Sequence, residues 1–242
     1  MVNEYLNREA LLESLAGEIL FLDLLGKLWI TYPADKKQDW FLSLLDQDLF
    51  SEVPFAEEQL QVKKGIRLIC EWIDDVQGLP EKEIMLELKT DYSGLFNCAN
   101  DIIAPPWESV YRDKHRLVKQ DHTLKVRRFY KENGLVLSDL QNEPDDHIGY
   151  ELLFTAYLTR KMARALEQDD QGAFQTFRRV KGNFLKKHLL QWAPIFSGQV
   201  DRYAKTKFYQ GLSWMLLGIS RELADLYRIS LLTPEELEQA AV

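Results

Sequence analysis

The sequence has few of the residues that metal, disulfide and phosphate sites require. Its 242 residues include only Cys70 and Cys98, which form neither a C-x-x-C pair nor a disulfide framework. The sequence also contains no Gly-x-x-x-x-Gly-Lys phosphate loop, no serine-nucleophile elbow and no H-E-x-x-H zinc helix, and its four histidines are dispersed. We therefore expect no bound metal, no cofactor and a reducing compartment.

Basic runs and long apolar runs are missing as well. Lys and Arg number 30 against 38 Asp and Glu, for a net charge of −8, and no five consecutive residues are basic. Such a surface repels phosphate backbones, which argues against nucleic-acid binding and favours a basic ligand. The densest apolar stretch, residues 214–219, is much shorter than the roughly 20 residues of a spanning helix, and the N-terminus lacks an export signal. We expect a cytoplasmic protein without stable membrane insertion.

Apolar residues recur at helical spacing along most of the chain, whereas alternating strand patterns are scarce. These patterns predict an all-α fold, a single globular bundle of about ten helices in one domain, 1–242. The predicted helices cover about 1–32, a segment around Trp40–Leu49, 60–76, 84–95, 121–133, 144–167, 170–190, a segment restarting at Pro194, 206–229 and a short helix begun by Thr233.

Residues 100–120 interrupt the helical pattern, because Pro105-Pro106 cannot continue a helix. Trp107 and Tyr111 follow this turn. The loop is either anchored in the core by its aromatic side chains or forms the apolar wall of a peptide groove.

Glu143-Pro144-Asp145-Asp146-His147 directly precede an apolar helix. Acidic side chains in a first turn complement the helix dipole, and Pro is common at a helix start, so helix capping is one interpretation. Three carboxylates and a histidine in five residues exceed what capping requires. The second interpretation is a guanidinium-binding cluster, since a carboxylate accepts two parallel N–H bonds from arginine.

Four motifs in this order resemble the TorD/DmsD family of redox-enzyme maturation chaperones, with the DmsD-like branch the nearest. The resemblance covers about residues 104–196. The motifs are Pro-Pro-Trp-Glu-Ser-Val-Tyr at 105–111, Thr-Leu-Lys-Val-Arg-Arg-Phe-Tyr at 123–130, Asn-Glu-Pro-Asp-Asp-His at 142–147 and His-Leu-Leu-Gln-Trp-Ala-Pro-Ile-Phe at 188–196.

The resemblance implies a cytoplasmic, non-enzymatic chaperone that binds the twin-arginine signal peptide of a molybdopterin oxidoreductase subunit, of the dimethyl sulfoxide reductase type. Such a chaperone assists cofactor insertion and delays Tat export until folding is complete. Together with the residue patterns, it predicts a peptide site made of Glu143, Pro144, Asp145, Asp146, His147, Pro106, Trp107 and Tyr111.

In this hypothesis Glu143 and Asp146 pair with the arginines, so Asp146→Ala should weaken peptide binding and leave the fold intact. His147 orients a carboxylate or touches the peptide, and Trp107 with Tyr111 contacts its apolar part. Glu108 departs from the family pattern, which is expected to have a small residue there, and it would add charge at the groove edge.

Other functions remain open at this point. An all-helical metal-dependent hydrolase would use Asp145, Asp146 and His147 with another histidine. A third alternative is a chaperone regulated by guanine nucleotides, which the sequence does not favour because it contains no phosphate-binding loop. The client reductase is not specified, and a helical chain with exchangeable halves can also form a swapped homodimer.

Overall fold

The computed structural model describes residues 2–33, 59–97, 102–112, 121–136 and 143–231. Within these ranges the chain forms nine α-helices, one 3-10 turn and no sheet, which confirms the all-α prediction. None of the helices described is long and apolar enough to cross a bilayer. The helices are α1 (Val2–Ile30), α2 (Leu60–Val76), α3 (Glu81–Phe96), α4 (Glu108–Arg112), α5 (Asp121–Glu132), α6 (Ile148–Glu167), α7 (Gln171–Lys187), the 3-10 turn Leu189–Gln191, α8 (Ala193–Tyr203) and α9 (Lys207–Tyr227).

The helix ends agree with the sequence prediction in most places. α2 matches its predicted bounds, and α5 ends before Gly134, whose φ of 83° no other residue type adopts as easily. The predicted helices around Trp40–Leu49 and after Thr233 lie outside the described residues.

Two predictions near the loops were wrong. The helix expected from residue 144 begins at Ile148, since the residues before it form a turn and His147 is the N-cap. The loop of residues 100–120 contains the short helix α4 (Glu108–Arg112). Both differences arise from contacts between the two segments, which lie far apart in sequence.

Glycines allow two pairs of helices to approach closely. A Cβ on Gly211 of α9 would lie 2.6 Å from the carbonyl oxygen of Gly65 on α2, and one on Gly65 would lie 2.5 Å from that of Gly211. Gly26 of α1 and Gly149 of α6 form a similar pair, with a Cβ on Gly149 only 2.6 Å from the Gly26 oxygen. Backbone therefore packs on backbone at both crossings. The second crossing fixes the first turn of α6, directly after the acidic cluster.

Aromatic side chains fill the centre of the molecule. Trp29 is buried and packs edge-on against Phe96 and Phe196, with ring centroids 6.0 and 5.0 Å apart. Phe96 also contacts Tyr92 and Tyr209, at 4.9 and 5.8 Å. Edge-to-face pairs at these distances add about 0.5–1.5 kcal/mol each beyond their buried area. This cluster joins α1, α3, α8 and α9 into one core.

A buried ion pair connects α1 and α7. Lys181 and Glu18 form a salt bridge with almost no exposed surface, and the Thr159 hydroxyl of α6 donates to Glu18 at 2.7 Å. Burial lowers the pKa of Lys181, whereas the charge of Glu18 raises it. The extra hydrogen bond matters because a buried pair is stable only if its remaining polar atoms are satisfied.

Candidate functional site

The Pro-Pro-Trp loop and the acidic cluster are joined by backbone hydrogen bonds. The Ile148 amide donates to the Pro106 carbonyl at 2.8 Å, and the Glu108 amide donates to the Asp146 carbonyl at 3.0 Å. Trp107 and His147 thereby form an isolated antiparallel bridge. The two segments that the sequence singled out therefore form one structural unit.

Asp146 is buried, and its carboxylate holds the two segments together. It accepts from the Ser109 amide at 2.8 Å and from the Thr123 hydroxyl at 2.8 Å, so it also caps the N-terminus of α4. Burial raises the pKa of Asp146, and these hydrogen bonds lower it in part. The expected direct pairing of Asp146 with a peptide arginine is not supported, because the side chain is fully enclosed and has internal partners.

His147 is also buried and serves as the N-cap of α6. Its Nδ1 accepts from the Gly149 amide at 3.1 Å, and burial lowers the pKa of the imidazole to about 3. The ring is therefore neutral at physiological pH and carries its proton on Nε2. His147 orients the acidic turn rather than presenting a charge to a ligand.

Asp145 faces the edge of the site and is paired with an arginine of the same chain. Its Oδ2 accepts from Arg127 Nε at 2.7 Å and lies 2.6 Å from Arg127 Nη2. The Asp145 side chain is 10% exposed, but that of Arg127 is 53% exposed. A guanidinium therefore already occupies this carboxylate, in a position that solvent reaches.

Glu143 and Trp107 lie at the partly exposed surface of the joined loops. The Trp107 indole Nε1 donates to Glu143 Oε2 at 3.1 Å. This contact places a carboxylate beside an aromatic ring.

The remaining predicted site residues have structural contacts. Pro106 and Pro144 are buried, and the Pro144 carbonyl accepts from the His147 amide at 3.0 Å to close the turn. Tyr111 is half-buried; its hydroxyl donates to Gln199 at 2.7 Å, and its ring lies 5.3 Å from that of Trp192. Tyr111 is thus anchored toward α8.

Glu108 lies beneath the Trp107 loop with no exposed surface, so it does not add charge at the groove edge as expected. Its carboxylate contacts Arg112 Nη1 at 2.9 Å and His188 Nδ1 at 2.8 Å, with His122 at 3.7 Å. Burial alone would raise the pKa of Glu108, but hydrogen bonds with His122 and His188 and the charge of Arg112 lower it well below its ordinary value. Glu108 therefore remains ionised.

Glu151, in the first turn of α6, is a second buried carboxyl group close to Glu108. Its Oε2 accepts from the Trp192 indole at 3.2 Å, whereas its Oε1 finds no hydrogen-bond partner in the described chain. Burial, followed by the negative charge of Glu108, raises the pKa of Glu151 well above its ordinary value. The surroundings therefore favour the ionised form of Glu108 and the neutral form of Glu151.

Sequence reasoning did not include the side chains that support the site. Two of them, Thr123 and Arg127, belong to one of the four quoted motifs, and His188 begins another. The burial of Glu151 could have been predicted from the sequence, since it lies three residues after Ile148 and four before Thr155, on the apolar face of α6. A carboxyl group at that position predicts a buried polar contact.

The arrangement does not fit the metal-hydrolase alternative. That alternative requires Asp145, Asp146 and His147 to direct lone pairs toward one ion, but each accepts from a different partner: Arg127, Ser109 with Thr123, and Gly149. Among the described residues no group of three or more histidine, cysteine or acidic side chains is placed to hold a metal.

Comparison with known proteins agrees with this architecture. A family model described as nitrate reductase delta subunit matches residues 58–197, which is more than half of the chain and includes both joined loops. The chain belongs to this family, that of the TorD and DmsD chaperones.

Members of the TorD/DmsD family are similar to the chain at moderate identity. It is 29% identical over 142 residues to a probable Tat proofreading chaperone DmsD of Haemophilus influenzae, covering 59% of this chain and 63% of that protein. It is 33% identical over 149 residues to the Tat proofreading chaperone DmsD of Salmonella typhi, covering 59% and 66%. The chaperone protein TorD of Aliivibrio fischeri is 24% identical over 191 residues, covering 74% and 86%.

The match to the two DmsD proteins spans just under two thirds of their length. All three relatives are named as chaperones rather than as enzymes.

Proposed function

We propose that the chain is a non-enzymatic, cytoplasmic chaperone for redox-enzyme maturation. In this proposal it binds the twin-arginine signal peptide of a molybdopterin oxidoreductase precursor of the dimethyl sulfoxide reductase type, and delays its Tat export until the cofactor is inserted. Relatives named Tat proofreading chaperones support this proposal. The observation that carries it is the bridge between residues 107 and 147, which joins an acidic turn to an aromatic loop.

The leader's two guanidinium groups meet the two carboxylates at the edge of the bridged loops. One arginine pairs with Glu143 beside the Trp107 ring, and the other replaces Arg127 on Asp145. Exchange of one guanidinium for another keeps Asp145 paired throughout, so the carboxylate is never left desolvated without a partner. The apolar part of the leader then lies along Trp107.

Asp146 and His147 act as positioning residues in this proposal. Their hydrogen bonds to Ser109, Thr123 and Gly149 set the distance between the acidic turn and α4. Pro106 and Pro144 stiffen the two segments that meet at the bridge. Tyr111 anchors the far end of α4 through Gln199.

Calorimetric titration of a twin-arginine leader peptide tests the proposal. Glu143→Gln and Asp145→Asn each remove one charge, and each should weaken binding about ten- to hundredfold, because a buried charge-assisted hydrogen bond contributes about 1.5–3 kcal/mol. A twin-lysine peptide should bind more weakly than the twin-arginine peptide, since lysine cannot make the bidentate contact.

Glu87→Gln is the matched control, since Glu87 is exposed on α3, is not a predicted site residue, and its loss changes the net charge equally. Equal affinity of wild type, Glu143→Gln and Asp145→Asn for the peptide would disprove the assignment of the site.

A further inference from the structure

The side chain of Tyr150 lies beside the acidic turn but takes no part in the hydrogen bonds that join the two loops. Tyr150 belongs to the first turn of α6, and its ring contacts the imidazole of His147 at a centroid distance of 5.7 Å. The Trp107 ring contacts the same imidazole at 6.4 Å. Tyr150 is therefore held next to the surface that the proposed function assigns to the leader peptide.

The backbone around Tyr150 fixes its position. The Tyr150 amide donates to the His147 carbonyl at 2.9 Å, and the preceding Gly149 packs directly on the backbone of α1 at Gly26. The Tyr150 side chain is only 4% exposed, so it has little freedom to lose when a ligand binds. A side chain that is fixed in advance contacts a ligand at a lower entropic cost than a mobile one.

The hydroxyl of Tyr150 has no hydrogen-bond partner within the described ranges. The hydroxyl of Tyr130, by contrast, donates to the Asp145 carbonyl at 3.0 Å. The Tyr150 oxygen is also not one of the fully enclosed polar atoms without a partner, to which the oxygen of Tyr209 belongs. The Tyr150 hydroxyl therefore reaches the surface with its hydrogen-bonding capacity unused.

Two carboxylates of the peptide site act on the Tyr150 hydroxyl. Burial, and then the negative charges of Glu143 and Asp145, raise the pKa of Tyr150 to about 12, with Glu143 the stronger of the two charges. These are the carboxylates that pair with the leader arginines in the proposed function. The hydroxyl stays protonated and uncharged, and its oxygen lone pairs remain available to a cation that the two acids attract.

A guanidinium that enters the site needs more acceptors than one carboxylate supplies. Arginine has five N–H donors, and a bidentate pair with a carboxylate uses two of them. The remaining donors require partners when the guanidinium leaves water. Asp146 and Glu108 cannot serve, because both are enclosed and already paired within the chain. The Tyr150 oxygen is an uncharged acceptor in the same site whose lone pairs are unused.

We propose that Tyr150 determines specificity in the signal-peptide site, where its hydroxyl accepts a hydrogen bond from the leader guanidinium that pairs with Glu143. This inference rests on the proposed function. The ammonium group of lysine carries its three donors on one nitrogen, so it cannot reach a carboxylate and a phenol with the planar fork of a guanidinium. Tyr150 therefore contributes more to the binding of a twin-arginine leader than to that of a twin-lysine leader.

Calorimetric titration of twin-arginine and twin-lysine leader peptides into wild type and Tyr150→Phe tests this proposal. Tyr150→Phe keeps the ring and the net charge and removes only the hydroxyl. It should weaken twin-arginine binding about five- to tenfold and twin-lysine binding about twofold or less, so that the preference for arginine falls. Its urea-unfolding midpoint should equal that of wild type, because the hydroxyl has no partner in the described chain.

Tyr203→Phe is the matched control, since Tyr203 is 47% exposed on α8, is not a predicted site residue and loses the same atom. It should leave both affinities unchanged. Wild-type affinity of Tyr150→Phe for the twin-arginine peptide, while Glu143→Gln still weakens it, would overturn this inference and leave the proposed function intact. An equal loss for both peptides would also overturn it, since that result indicates a purely structural role. Failure of wild type to bind the twin-arginine peptide at all would overturn the proposed function and this inference together.

Discussion

Of the two adjacent aspartates, Asp146 should matter mainly for stability and Asp145 mainly for peptide binding. Asp146→Ala removes the acceptor of two buried donors, the Ser109 amide and the Thr123 hydroxyl. Each unpaired donor costs about 1–3 kcal/mol, and loss of a desolvated charge offsets part of the sum, so we expect a destabilisation of about 2–4 kcal/mol. Domains of this kind are stable by only about 5–15 kcal/mol.

Asp145→Ala is the natural comparison because it removes the same side chain one residue earlier. Its partner Arg127 is 53% exposed, and solvent-screened pairs contribute at most about 1 kcal/mol, so this variant should lose no more than that. Its affinity for a twin-arginine peptide should nevertheless fall, whereas that of folded Asp146→Asn should change little.

Urea unfolding at pH 7, followed by far-ultraviolet circular dichroism, measures the difference between the two variants. Asp146→Asn keeps one oxygen acceptor and should fall between wild type and Asp146→Ala, which gives a measurable variant even if the alanine protein does not fold. Equal destabilisation by Asp145→Ala and Asp146→Ala would refute the assignment of Asp146 as the residue that holds the loops together.

Three further predictions follow from contacts at the site and in the core. Arg127→Gln should tighten twin-arginine peptide binding several-fold in a fluorescence titration, because the ligand no longer competes with an internal guanidinium for Asp145; weaker binding would contradict the exchange. Burial raises the pKa of Glu151, so its contribution to stability is full below the unfolded pKa of about 4.3 and falls as pH rises. The stability of Glu151→Gln relative to wild type should therefore increase from pH 4 to pH 8 in denaturant titrations, and a constant difference would exclude a neutral Glu151. Gly211→Ala should destabilise the chain by about 1–3 kcal/mol in the same assay, because a Cβ there meets the Gly65 carbonyl, and an unchanged midpoint would show that α2 and α9 can separate at no cost.

The helical fold was predictable because its signal is local. The apolar spacing of residues 60–76 and the glycine at 134 determine where a helix forms or ends, whatever the rest of the chain does. That all residues form one domain stays a prediction from length and from the lack of a linker.

The site was predictable in position but not in the role of each residue. The acidic turn looked like a helix start because acids are common there. The Asp146 carboxylate nevertheless caps a different helix, α4, whose first residue, Glu108, lies 38 residues earlier in the sequence. Which of two adjacent aspartates is buried depends on this long-range contact. The same holds for Glu108, whose partner His188 is 80 residues away. Local spacing carries no information about either contact.

The hydrogen bond between Trp107 and Glu143 gives the molecule an optical readout of its own binding site. An arginine that approaches Glu143 alters the electric field at the indole ring, so the emission wavelength of Trp107 will change when a leader is bound. Trp29, Trp72 and Trp192 are enclosed in the core and will act as a constant background. Occupancy can thus be followed without a label, and Trp107→Phe will show how much of the fluorescence comes from Trp107.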